Sequence, residues 1–124
     1  MKRFPSIKKN IDFRTVYEKG KSKANRSLVM YVLYKEENEK RPCCRIGIST
    51  SKKIGNSVVR HHMARLLRET FRLHRAEIQR CCDIVIVVRA AAVGQSFHEI
   101  ERSYLHLLQL HGLTERHESV SING

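Results

Sequence analysis

Asn56-Ser-Val-Val-Arg60-His-His-Met-Ala-Arg65-Leu-Leu-Arg68-Glu-Thr-Phe-Arg72-Leu-His-Arg75 is the longest helical pattern in the chain, and its neighbours take their places from it. Asn56 or Ser57 supplies an N-cap oxygen, and the helix is expected to reach about Arg75. Val59, Met63, Leu66, Leu67, Thr70 and Leu73 recur at steps of three and four, so they form the stripe expected to pack on a sheet. Turning about 100° per residue from Arg60 places His61, Arg65, Arg68, Arg72 and Arg75 within an arc of about 80° on another face. One helix thus carries an apolar seam and a cationic ridge.

On either side of this helix the period changes from 3.6 to 2. Asp83 to Arg89 is nearly all β-branched and reads as a strand covered on at least one face. Upstream, Cys43 to Ser49 and Leu28 to Tyr34 read as two further strands, antiparallel because the short charged segment 36–42 joins them. A weaker strand over Lys21 to Asn25 is left open. The first helix is expected to open at Asn10 as N-cap and close at Gly20. Ser96 and Glu99 make a capping box for a last helix with Phe97, Ile100, Tyr104, Leu107, Leu108 and His111 on one side, ending at Gly112. The expectation is an α+β domain over residues 1–112, a small sheet packed with about three helices, followed by a frayed tail over 113–124.

The 124 residues suit one domain, and 41% apolar residues without Trp suit a modest aliphatic core. The longest apolar run, Leu28 to Tyr34, is far short of the ~20 residues that cross a bilayer. Met1, Lys2 and Arg3 are followed by Pro5, Lys8, Lys9 and Asn10 where a signal peptide needs an apolar stretch, so the chain reads as cytoplasmic with no membrane partner. The formal charge is +12, and residues 1–75 hold 20 basic and 6 acidic side chains. Arginines on a surface helix are usually only solvated. Between residues 52 and 75, however, Lys52, Lys53 and five arginines face Glu69 alone, without the i to i+4 carboxylates that relieve self-repulsion. A polyanion is the simplest source of the missing charge, and Arg suits phosphate because its planar fork donates two hydrogen bonds.

Other constellations narrow the chemistry. Lys52-Lys-Ile-Gly-Asn56 before the helix is an anion-binding arrangement but lacks the Walker spacing, so nucleotide hydrolysis is unsupported. Phe13 and Tyr17, four residues apart in a basic segment, and Tyr31 are core aromatics by default; together with cations they also suit stacking of unpaired bases. Cys43, Cys44, Cys81 and Cys82 lack CxxC spacing and read as small buried residues in a reducing cell rather than a zinc site. Adjacent His61 and His62 point about 100° apart and clamp one phosphate poorly, which disfavours a histidine nuclease. Without paired carboxylates, a Ser-His-Asp set or HExxH, no catalytic residue and no protein-bound metal are expected.

Lys53-Ile-Gly-Asn-Ser-Val-Val-Arg60-His-His-Met-Ala-Arg65-Leu-Leu-Arg68-Glu69 resembles, without a gap, the signature K-x-G-N-A-V-x-R-N-R-x-K-R-x-x-R-E of the bacterial ribonuclease P protein subunit. Supporting matches lie at Lys8-Lys9 with Asp12-Phe13 and Val16-Tyr17, at Ala24-Asn25-Arg26, and at Arg45-Ile-Gly-Ile-Ser49 leading into Lys52-Lys53. The resemblance implies an αβββαβα order like that of ribosomal protein S5 domain 2, with a left-handed βαβ crossover where a right-handed one is the rule. It implies a protein that assists a catalytic RNA in removing the 5′ leader from precursor tRNA, with Mg²⁺ bound chiefly by the RNA and neither an organic cofactor nor a small-molecule substrate. By the same resemblance Lys53, Arg60, Arg65 and Arg68, with Lys52 nearby, contact that RNA; His61, His62 and Arg72 join them on the helix, and Phe13, Tyr17 and Tyr31 line a leader cleft. His61 and His62 stand where the family has Asn then Arg, and Ala64 where it has Lys. Arg72 and Arg75 extend the same face, and histidines beside phosphate gain charge as pH falls. The competing reading is a ribosomal or ribosome-assembly protein, equally basic but without a leader cleft.

Overall fold

The computed structural model describes residues 6–36 and 44–114. Three helices, α1 (Asn10–Lys19), α2 (Ser57–His74) and α3 (Phe97–Leu110), accompany four strands, β1 (Lys21–Ala24), β2 (Leu28–Tyr34), β3 (Cys44–Ser49) and β4 (Cys82–Val88). The sheet order is β1-β2-β4-β3, antiparallel except for the parallel β3/β4 pair that α2 connects. The fold is α+β with a mixed sheet, as the sequence suggests, and the open strand over Lys21–Ala24 forms. One expectation needs correcting: β3 runs antiparallel to β2 but does not pair with it. β4, apolar on both faces, takes the central place between them because it loses least by being covered on every side.

The core lies on one side of the sheet. Leu28, Met30 and Val32 of β2, Ile46 of β3, and Ile84, Ile86 and Val88 of β4 meet Met63, Leu67 and Phe71 of α2 and Ile100, Tyr104, Leu107 and Leu108 of α3. The seam of α2 is turned by roughly 60° from the expected stripe. Phe71 is fully buried, whereas Leu73 is 47% exposed. Asn56 caps α2, its Oδ1 accepting from Val59 N at 3.0 Å, and Ser96 and Glu99 form their reciprocal box on α3. Asn10, by contrast, is the first helical residue of α1 and not its cap; Lys9 holds that place without a side-chain bond. Gly20 ends α1 as expected, through close approach rather than a left-handed turn: a Cβ there would lie 2.6 Å from the Val16 carbonyl oxygen.

Order continues past Gly112, where the tail was expected to begin. Leu113 is fully buried and its carbonyl accepts from Gln79 N at 2.9 Å. Residues 115–124 lie outside the described residues, as does most of the segment joining β2 to β3. The cysteines also depart in part from expectation. Cys44 and Cys82 are free and buried, opposite each other in the parallel register, but Cys81 is disulfide-bonded. Spacing along the chain could not show that these strand starts become neighbours. A hydrogen bond from Cys82 holds the Cys44 thiol below its usual range, while that bond and burial push Cys82 up. No helix among the described residues is long and apolar enough to cross a membrane.

Candidate nucleic-acid interface

The second face of the sheet is organised by register. One cross-strand row is Ser22, Tyr31, Val85 and Gly47; the next, toward the start of α2, is Ala24, Val29, Val87 and Ser49; on the other side lie Leu33, Asp83 and Arg45. α1 lies over the first and third rows, burying Val16 with Ile7 and Val85 against Phe13, Tyr31 and Leu33. Phe13 packs on Gly47, where a Cβ would sit 2.7 Å from its ring. Tyr17 meets Tyr31 edge to face with centroids 4.9 Å apart, and is 38% exposed. The three sequence-selected aromatics therefore converge on one side of the sheet, beside the half-exposed row of Val29, Val87 and Ser49.

An ion network not singled out from the sequence fixes α1 in this position. Arg45 donates to both oxygens of Asp83, at 2.9 and 2.6 Å, and reaches Asp12 of α1 at 3.5 Å. Lys35 Nζ lies 3.2 Å from Asp83 as an ion pair without hydrogen-bond alignment. Burial acts to raise the Asp83 pKa, but the Arg45 hydrogen bonds and Lys35 outweigh it and hold the carboxyl below its usual range. The sequence did carry a signal: Asp83 is the one charge in an otherwise apolar strand, and such a charge is almost never buried unpaired. Asn25, part of the Ala24-Asn25-Arg26 match, has a structural role. Its Oδ1 accepts from Ser27 N and Leu28 N, and its amide donates to Ser103 O, which closes the β1–β2 turn onto α3.

On α2 the cationic ridge is present. His61, His62, Arg65, Arg68, Arg72 and Arg75 are all exposed, as are Lys52 and Lys53 in the short 3-10 turn before the helix. Among the described residues no carboxylate pairs with Arg65 or Arg68. Two members differ. Arg72 is held bidentately by Glu69 at 2.9 and 2.6 Å, so its charge is already met. Arg60 is only half exposed, with its Nε enclosed and unpartnered, because it falls within the buried arc, between Leu67 and Phe71 in angle, in the first turn of the helix. Ala64, where the family signature has Lys, is buried against the core. A lysine there would have to bend outward to reach solvent, so the charge lost at this position matters less to the ridge than counting suggests.

A family model described as Ribonuclease P matches residues 1–111. The chain belongs to this family. It is 45% identical over 113 residues to the ribonuclease P protein component of Lachnoclostridium phytofermentans, covering 91% of this chain and 94% of the relative. Against the Bacillus cereus ribonuclease P protein component it is 42% identical over 120 residues, covering 97% and 98%. The solved structure of the Staphylococcus aureus RNase P protein superposes with a TM-score of 0.79 at 36% identity, covering 91% of this chain and all of that one. As a member of the ribonuclease P family the chain is a protein subunit of an endoribonuclease, and the ribosomal alternative is not favoured.

Proposed function

We propose that this chain binds the catalytic RNA of ribonuclease P along the outer face of α2, through Lys52, Lys53, Arg60, His61, His62, Arg65, Arg68 and Arg72. The single-stranded 5′ leader of precursor tRNA runs beside α1, along the half-exposed row of Val29, Val87 and Ser49 and against Phe13, Tyr17 and Tyr31. Two requirements meet here: a structured RNA needs cations facing outward, and an unpaired leader needs aromatic surface within reach of solvent. The observation that carries the reading is the partly exposed Tyr17–Tyr31 pair beside Phe13, on a protein whose Arg65 and Arg68 have no carboxylate partner among the described residues. Mg²⁺ belongs to the RNA in this scheme, and hydrolysis occurs there. The carboxylate on the α2 ridge, Glu69, is engaged by Arg72, and the protein's contribution is charge and positioning. The assembly works in the cytoplasm.

Reconstitution with the ribozyme RNA tests this. The protein should restore leader removal at low Mg²⁺. Phe13→Ala should weaken binding of precursor tRNA by about 1–3 kcal/mol while sparing mature tRNA, which lacks the leader. Equal losses for the two would remove the cleft assignment, and cosedimentation with ribosomes in place of ribozyme binding would favour the ribosomal alternative.

A further inference from the structure

A cleft of about 510 Å³ separates the middle of α2 from the first turn of α3, lined by His62, Arg65, Leu66, Arg68, Glu69 and Phe97. Its size falls within the range of about 300–1,000 Å³ typical of sites for small organic groups. We propose that it receives one unpaired nucleotide of the RNA bound by α2, with the base against Phe97 and Leu66 and the phosphate on Arg65 and Arg68. The inference rests on the assignment of α2 to that RNA and adds to it a pocket with its own chemistry.

Three features point to a nucleotide rather than to bare backbone phosphate. Phe97, the first residue of α3, is only partly buried, as is Leu66; backbone phosphates alone would gain nothing from an aromatic and an aliphatic side chain. Among the described residues Arg65 and Arg68 have no carboxylate partner, and Glu69 beside them is committed to Arg72. Glu69 also gives the site a direction. A carboxylate offers about four lone-pair positions, so the two bonds from Arg72 leave it able to accept from an exocyclic amino group. It repels phosphate, which turns the anionic end of the nucleotide toward Arg65 and Arg68. Adenine, cytosine and guanine carry such an amino group and uracil does not, so the cleft favours the first three.

Titration of the full-length ribozyme transcript with the full-length protein decides the matter. Phe97→Ala should weaken binding by about 5- to 100-fold with an unchanged salt slope, because no phosphate contact is removed. Phe97→Leu, which keeps apolar volume and the helix start, should weaken it similarly, and Phe97→Tyr should bind as the unsubstituted protein does. At saturating protein, one unpaired base should be shielded from base-modifying reagents in the unsubstituted complex and become reactive in the Phe97→Leu complex. Unsubstituted affinity and an unchanged protection pattern with Phe97→Leu would overturn the pocket, while loss of affinity and salt slope with Arg65→Ala would leave the α2 assignment standing. Failure of the unsubstituted protein to bind the transcript would instead remove that assignment itself.

Discussion

On the α1 side of the sheet each side chain assigned to the leader is braced by a neighbour: Phe13 by the backbone at Gly47, Tyr17 by Tyr31, and α1 itself by the Asp12–Arg45–Asp83 chain. On the outer face of α2, Arg65 and Arg68 extend into solvent with no described partner. The difference follows from what each face has to hold. Stacking a flexible single strand requires a rigid platform, because every side chain left to be ordered on binding subtracts from affinity. Phosphate contacts draw on counterion release and tolerate mobile arginines. Substitutions under α1 should therefore cost stability and discrimination, and substitutions on α2 should cost affinity and its salt dependence with the fold intact.

The largest effect is expected at Asp83. Its removal leaves Arg45 and Lys35, whose side chains are 13% and 7% exposed, without their shared counter-charge. Breaking a buried pair in this way costs about 3–5 kcal/mol, so Asp83→Asn should lower the denaturation midpoint sharply. The pH dependence has a definite sign. Because the folded carboxyl titrates below its ordinary value, its contribution is present above that value and disappears as pH falls through the lowered one. The gap between Asp83→Asn and the unsubstituted protein should narrow in acid; a gap independent of pH would mean that the charge is not what holds α1. Next comes Gly47→Ala, whose new Cβ would meet the Phe13 ring at 2.7 and 2.8 Å. A cost of about 1–3 kcal/mol in stability, with weaker preference for precursor over mature tRNA, is expected. Intact preference despite the displaced ring would separate Phe13 from the leader.

Much of this was legible in the residues, for reasons that also explain what was not. β2 and the capping box of α3 follow from local signals, alternation over Leu28–Tyr34 and Ser96 with Glu99, and both form. The ridge on α2 is helical geometry applied to Arg65, Arg68, Arg72 and Arg75. The place of β4 between β2 and β3 is a non-local pairing that no local period encodes. The phase of α2 was off because Leu73 and Phe71 both continue an apolar stripe, and only the sheet and α3 decide which is buried. On the α1 side the aromatics could be named but not their supports. Gly47 matters through a contact with Phe13, 34 positions away, and Asp83 through Arg45 of β3 and Lys35 just past β2.

Within the ridge a smaller contrast is expected. Arg65→Ala and Arg68→Ala should each reduce the salt slope of ribozyme binding by about one unit, with melting temperature unchanged, if each meets one phosphate. Arg72→Ala should reduce it less, since Glu69 already occupies that guanidinium. Equal slopes for all three would mean that Glu69 releases Arg72 on binding.

The smallest effect concerns how α2 is tied to α3. His74, at the end of α2, contacts Glu77 through Nδ1 and Glu101 of α3 through Nε2 at 2.7 Å. Burial of the ring opposes its charge, but the hydrogen bonds to Glu101 and Glu77 prevail and raise its pKa above the ordinary 6.5. A group raised in the folded state contributes fully below its unfolded value and loses that contribution as pH rises through the folded one. His74→Gln should therefore destabilise by less than about 1 kcal/mol, visibly in mildly acid solution and hardly at all well above neutrality. The same variant should leave the precursor preference of the α1 side unchanged at every pH, because the described partners of His74, Glu77 and Glu101, both lie on the far face of the sheet. A pH-dependent change in that preference would show that the two faces are coupled through the sheet and are not independent.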